Sequence, residues 1–568
     1  MHAGRTPEAM DIFVYQHDQT FVVSSFAQGD FDYVDAVSEL EETKFFRYIG
    51  AHNILPKLAE SYPSPRKKNE VPVWMYIASN LSMRLHGVHS FYAYPYVVRC
   101  GGMLSAFGPK AGHKAVHPET KDVTLSCEGF NDKNTYDRQT PCDQDFLRKF
   151  ARSTLPQRLE RWFNHDVVGM LKQHKAFDSE GIFLGDASYL FVPDNEKYEG
   201  SVRMLFDEQN HPVGKESEKE LPVAQRARCQ WKRCYKLVSL IHTNRRGDFF
   251  LYAAVAVVSG KAHECPVLYS LVDGFVAAVG RGVVKRLILD RGFLDGERIG
   301  RCKEAHGIDI LIPVRKGMDV YEDALGLMRG DRVRFELSHA PAAKPPVDPK
   351  PTQVPAAIRR RERKRQETLL QKKAAEPPPV PEKTLVRSEV AVVNGFRSWS
   401  SCPVPVSVIM NKEIFADGHE EIWMLLDTKE VKNGGAARDE YHLRTGIEER
   451  HRQLKCFLDL TDFKSRSLSL VVNQVIFVAL AYSLLQLYLR RIGRPELNRH
   501  TLPRIRRQLM PTHSIVMLYY MNRFALLSLF EYTKLVLTLS EKARQKVLAK
   551  TQQLERDLAR ELVLVRPP

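Results

Sequence analysis

GIFLGDASYLF, residues 181–191, starts the sheet from which the rest of the chain is read. Ile182, Phe183 and Leu184 form an apolar run, and Tyr189 and Phe191 add aromatic residues that suit a pleated, half-buried surface. Downstream, CYKLVSLIHT (234–243) and DFFLYAAVAVVSG (248–260) have the same character and are joined by the turn-like NRRG, which predicts a hairpin. A helix is expected near 270–282, a strand at VVKRLILD (283–290), a helix near 294–306 and a strand at IDILIPVRKG (308–317). Hairpin strands followed by helix, strand, helix and strand predict a mixed α/β sheet.

The flanks read differently. Up to about residue 175 the pattern is mainly helical, with amphipathic stretches at 36–55 and 145–163 and a polar, loop-rich passage around 108–142. Arg148, Lys149, Arg152, Arg158 and Arg161 lie on these helices, where they fit either DNA contacts or a solvated face. Between 331 and 385 the pattern breaks. Ten of the 32 prolines fall between Pro341 and Pro381, and residues 358–373 carry eight basic and two acidic residues. This composition predicts a flexible basic arm. Strands resume at 388–396, 404–410 and 420–427, a charged helix begins near Arg438, and residues from 493 onward read as helical. The apolar stretch 468–489 is long enough to cross a bilayer, but it contains Asn473, Gln474, Ser483 and Gln486 and has no comparable partner span, so a buried core helix is expected and no membrane.

These boundaries give five parts: 1–175, mainly helical and a candidate DNA-binding domain; 176–330, the first part of a mixed-sheet domain; 331–432, an insertion with the basic arm and strands; 433–492, the rest of the mixed-sheet domain; and 493–568, a helical region. The 568 residues carry 84 Lys and Arg against 68 Asp and Glu, a formal charge of +16. With 43% hydrophobic residues, a wholly disordered or fibrous chain is excluded. The positive excess points to a polyanionic partner, nucleic acid or an anionic membrane surface. The first residues, MHAGRTPEAMDIF, lack the basic start and apolar run of a secretory signal, so a cytoplasmic location is expected. Nine cysteines are scattered without paired CxxC units. The nearest approaches to a zinc site, Cys229 with Cys234 and His263 with Cys265, read as packed thiols.

The chemistry is sought among carboxylates that a rigid sheet would present. Asp186 follows an apolar strand run through Gly185, and Asp290 ends Leu287, Ile288 and Leu289. Acidic residues form strands poorly and are costly to bury unpaired, so each asks for a cation or a hydrogen-bond network. A turn or cap role competes: Asp290 also fits as the cap of the next helix, and Asp427 after WMLL is a comparable position.

The helix expected over RDEYHLRTGIEERHRQLKCF (438–457) narrows the choice. Taking about 100° per residue from Tyr441, Arg444 falls near −60°, Glu448 near −20° and Lys455 near −40°, whereas Glu449 points away near +80°. Arg444 and Glu448 stand four apart and fit a plain ion pair. They also fit a metal-binding Glu448 flanked by cations for phosphate oxygens.

Tyr441-x2-Arg444-x3-Glu448-x6-Lys455 resembles the YREK signature of DDE-type insertion-sequence transposases. By that resemblance Asp186, Asp290 and Glu448 are the catalytic, metal-binding triad, and the region from about 176 to 490 is an α/β ribonuclease H-like domain, a mixed sheet flanked by helices. The 158 residues from Asp290 to Glu448 correspond to the insertion such domains commonly carry, though the proline-rich arm departs from the strands expected there. Arg315 in IPVRKG resembles a basic residue placed after the second Asp. The resemblance implies two Mg²⁺ or Mn²⁺ ions, with Asp186 bridging both and Asp290 and Glu448 holding one each. Tyr441, Arg444, Lys455 and Arg315 would bind DNA. It further implies double-stranded DNA partners (element ends and target DNA), a homodimer, no nucleotide cofactor, and cleavage at element ends followed by transfer of the 3′-OH ends. Trp423 fits base stacking or, more simply, a core position. A metal-dependent nuclease and a non-catalytic DNA-binding relative are the alternatives on the same fold.

Overall fold

The computed structural model describes residues 12–14, 16–37, 41–67, 71–94, 111–116, 118–120, 123–126, 142–214, 222–330, 332–338, 385–494, 515–521 and 523–565. The basic arm at 358–373 lies outside them. The chain divides into two compact units, the first comprising Met1–Phe293, Ala305–Ile308 and Leu443–Pro568, the second Leu294–Glu304 and Asp309–His442.

From residue 182 the chain runs β1 (Ile182–Val192), β2 (Val202–Phe206), β3 (Gln230–Thr243), β4 (Phe250–Ser259), α1 (Glu264–Val279), β5 (Arg286–Ile288) and α2 (Gly296–His306). Then come β6 (Asp309–Pro313), α3 (Asp319–Arg329), β7 (Glu336–Ser338), β8 (Leu385–Phe396), β9 (Val406–Phe415) and β10 (Glu420–Asp427). The helices α4 (Gly434–His442), α5 (Thr445–Phe457) and α6 (Leu468–Arg491) follow. Strand β2, which the sequence reading omits, is short and pairs with one end of β3.

In the first unit β3 is central. β1 runs antiparallel along one edge with Asp186 opposite Ser239. On the other edge β2 takes residues 230–234 and β4 takes 235–243. β5 pairs in parallel with β1, Ile288 opposite Leu184, a pairing that requires the crossover through α1. The result is a mixed, mostly antiparallel sheet flanked by helices, in keeping with a ribonuclease H-like fold. The second unit carries its own antiparallel strand order β7-β8-β9-β10-β6.

The free edge of β4 explains the polar residues of the apolar helix α6. Ser483 accepts from Tyr252 N at 3.0 Å and Gln486 from Phe250 N at 3.2 Å. Farther along, Asn164 accepts from Val255 N (2.8 Å) and returns a bond to its carbonyl (2.8 Å), and Glu160 accepts from Val257 N (2.9 Å). An edge strand presents unpaired N–H groups that are costly to bury, and side chains from two helical segments satisfy them. Asn473 donates to Tyr76 Oη at 2.8 Å and Gln474 to the Leu460 carbonyl at 2.9 Å. α6 is a core helix, 83% buried in its most apolar window.

The helix expected over 145–163 breaks in two. Gln144–Ser153 ends before Leu155, whose extended backbone precedes Pro156, and a new helix starts with that proline in its first turn. The termini are not purely helical. Ile515–Tyr520 and Arg523–Ser528 form a hairpin that pairs with Tyr33–Val37 and Gln16–His17. Ile12–Val14, Ala111–Val116 and Val123–Ser126 make a further sheet. These short strands bind partners distant in sequence, a constraint that local periodicity does not carry. Ala543 and Val547 of Glu541–Val565 pack with Val22, Phe26 and Leu518, so that helix covers its own core. Cys234 and Cys265 are buried, and His263 caps α1 by accepting from Cys265 N at 3.2 Å.

Burial raises Glu160 from 4.5 to about 7, against the lowering effect of the bond from Val257. Between these values the unfolded chain ionises while the folded chain keeps its proton, so stability falls as pH rises from about 4.5 to 7. Glu160→Gln keeps the acceptor without the charge. Urea unfolding should show this variant more stable than wild type at pH 8, by on the order of 1–3 kcal/mol, and matched to it at pH 4.

Candidate active site

Asp186 lies in the middle of β1, and the residue before it sets the packing. A Cβ on Gly185 would come within 2.5 Å of Leu268 Cδ2 and 2.6 Å of Leu289 Cδ2, so only glycine lets α1 and the end of β5 close on this strand. Asp186 and Ser188 share the opposite face by the two-residue period. That face meets α5. His451 Nδ1 stands 3.4 Å from Asp186 Oδ2, and its Nε2 lies 3.0 Å from Ser239 Oγ. Lys455 Nζ donates to Ser188 Oγ at 2.6 Å. Two residues of strand and four of helix both span roughly 6–7 Å, so the two pairs match in register.

Asp290 follows β5, its Oδ1 accepting from Arg291 N at 2.7 Å. Its Oδ2 lies 3.3 Å from Arg444 Nη2, while Arg444 Nη1 lies 2.8 Å from Glu448 Oε1. One guanidinium therefore holds both carboxylates. The neighbouring helix α2 is capped by Asp295, which accepts from Arg298 N at 3.1 Å, and not by Asp290. Glu448 is the most open of the three acids, with 58% of its side chain exposed against 39% for Asp290 and 15% for Asp186.

The single helix expected over 438–457 is two helices. α4 ends at His442 and α5 begins at Thr445, with Arg444 as its N-cap residue. Thr445 and Gly446 are weak helix formers, and a Cβ on Gly446 would meet the Phe250 ring at 2.5 Å. The buried Arg450 guanidinium lies 4.6 Å from the same ring and anchors α5. The shared face thus loses Tyr441 and gains His451, which the angular count places near −80°, beside Lys455. Its position three residues after Glu448 was the available signal.

Tyr441 and Arg315 belong to the second unit. There the Tyr441 ring lies 6.4 Å from that of half-buried Trp423, whose face also takes the Arg438 guanidinium at 5.7 Å. Arg315 follows β6 and opens the turn into α3, its carbonyl accepting from Met318 N. Asp427 is buried and accepts from Lys429 N at 2.8 Å, the turn role that competes with catalysis in the sequence.

Among the described residues no three His, Cys, Asp or Glu side chains form a ready metal cluster. The donor chemistry nevertheless fits a hard divalent ion: three carboxylates reach one helix, each held by a nitrogen group a metal could replace. The transposase DDE domain family matches residues 199–484, just over half the chain, and the protein belongs to this family. It is an enzyme that cleaves and transfers DNA, and divalent ions are general in the family. Asp290 and Glu448 lie inside the matched stretch, and Asp186 precedes it. A search of curated proteins returned no match.

Burial lowers Lys455 from 10.5 to about 8, opposed by the negative charge of Asp186. Below pH 8 both folded and unfolded chains hold this proton; between 8 and 10.5 only the unfolded chain does, so this group makes stability rise with pH there. In metal-free protein, the Lys455 ¹³Cε resonance should titrate near pH 8. Comparison of unfolding curves should show that Lys455→Met loses that alkaline gain.

Proposed function

We propose that this transposase cuts DNA at insertion-sequence ends and joins the 3′-OH ends to target DNA, with Asp186, Asp290 and Glu448 as catalytic residues. The observation that carries this reading is that α5 engages both aspartates, Asp186 through His451 and Asp290 through Arg444, and itself supplies Glu448. The three carboxylates would hold two Mg²⁺ or Mn²⁺ ions, which supply activation of the attacking oxygen and stabilisation of the leaving oxygen. The protein's own groups orient the reactants. His451, held by Ser239, fixes the Asp186 carboxylate, and Arg444 keeps Asp290 and Glu448 near one another until its guanidinium turns to a phosphate oxygen.

Lys455 and Arg444 bind DNA phosphates beside the acids, with Tyr441 and Arg315 as further DNA contacts from the second unit. Arg444 has the planar fork suited to two phosphate oxygens. Double-stranded element ends and target are the substrates, the protein acts as a homodimer on cytoplasmic DNA, and no nucleotide cofactor takes part.

Incubation of the full chain with Mg²⁺ and DNA carrying its element ends should yield nicked ends and joined products. Asp186→Asn, Asp290→Asn and Glu448→Gln should each lower both by at least about a hundredfold while DNA still binds. Unchanged activity in any of them would remove that residue from the site, and cleavage without joining would make the protein a nuclease.

A further inference from the structure

Within the first unit lies a cavity of about 690 Å³, and none of Asp186, Asp290, Glu448, His451, Arg444 or Lys455 lines it. Its walls carry six basic side chains and one acid, Glu199. That acid is already engaged, its Oε2 accepting from Leu468 N at 2.9 Å at the start of α6. Lys464 and Arg148 make exposed pairs with Asp462 (2.8 Å) and Asp145 (3.3 Å), which hold them weakly. Arg152, Lys197 and Arg466 make no ion pair among the described residues.

Arg84 is the unusual member. It is 1% exposed, yet among the described residues its guanidinium donates only to neutral groups: the Val88 carbonyl (2.9 Å), His89 Nδ1 (3.0 Å) and Asn80 Oδ1 (3.2 Å). Its Nε has no hydrogen-bond partner among the described residues. A buried cation without a counter-charge is costly, and an anion entering the cavity would offset that cost. Phe91, 5.8 Å from the guanidinium, and Tyr92, 68% exposed, add an aromatic wall that suits a nucleotide better than a bare inorganic anion.

We propose that this cavity is a second DNA-binding site, which takes the phosphodiester backbone of the enzyme's own substrate around Arg84, apart from the catalytic carboxylates. The site rests on the DNA-transfer reading above and is tied to it structurally. Because Arg84 only donates, His89 Nδ1 accepts and its Nε2–H donates to the carbonyl of Leu458, the residue that ends α5. DNA seated in the cavity thus lies against the support of the helix that carries Glu448.

The test uses fluorescence anisotropy of the full chain with labelled duplex DNA across a salt series, in the absence of divalent ions. Arg152→Ala, Lys197→Ala and Arg466→Ala combined, all exposed changes, should weaken binding tenfold or more and reduce the slope of log K against log salt by about 2–3, near 0.9 per phosphate contact. A benzoylphenylalanine crosslinker replacing Tyr92 should capture the DNA strand. An unchanged slope in a variant that melts like wild type, or failure to crosslink, would overturn the cavity as a DNA site. So would binding of a deoxynucleoside monophosphate that the triple change abolishes while duplex binding persists. Wild-type protein that binds no duplex at all would instead overturn the DNA-transfer reading beneath it.

Discussion

The structure depends on the docking of α5 across β1. A strand repeats its face every two residues and a helix about every four, so Asp186 and Ser188 can meet His451 and Lys455 at once. Any slip of one residue in β1 would turn Asp186 toward α1 and leave two polar groups of the helix buried without partners. Gly446 leaves room for the Phe250 ring beneath α5, while on the opposite face of β1 Gly185 leaves room for Leu268 and Leu289.

The same economy of polar groups governs the far edge of the sheet. β4 ends the first unit's sheet beside β3, and its outward N–H groups are met by Glu160, Asn164, Ser483 and Gln486 rather than by water or another strand. This lets α6 be long and apolar while lying inside the protein. Its buried polar residues seal an edge that would otherwise invite pairing with another chain. Burial also tunes the charges: Glu160 is driven up, Lys455 and Arg84 down, in each case chiefly by loss of water.

Each carboxylate of the centre is met by a nitrogen group. Arg444 spans Asp290 and Glu448, which offsets part of their mutual repulsion, and His451 faces Asp186. Two of the groups that hold the acids, Arg444 and His451, come from α5 or its cap, and Lys455 lies on the same helix. The side chains of the candidate site are thereby concentrated in one short helix set on the sheet.

Much was legible in the chain alone. Apolar runs and their spacing placed β1, β3, β4, β9 and β10, the polar residues of 468–489 favoured a core helix, and the seven-residue interval from Glu448 to Lys455 put both on one helix face. These are local periodicities, set by backbone geometry that each segment carries with it. The break at Leu443–Arg444, the pairing of 33–37 with 515–519, the guanidinium shared by Asp290 and Glu448, and the entry of His451 in place of Tyr441 were decided by tertiary structure. They are contacts between residues far apart in sequence, or, for the helix break, a local propensity that a distant ring at Phe250 tips. Arg84 shows the division most plainly. As a sequence position it is one cation among 84, and only folding removes it from water with neutral hydrogen-bond partners among the described residues.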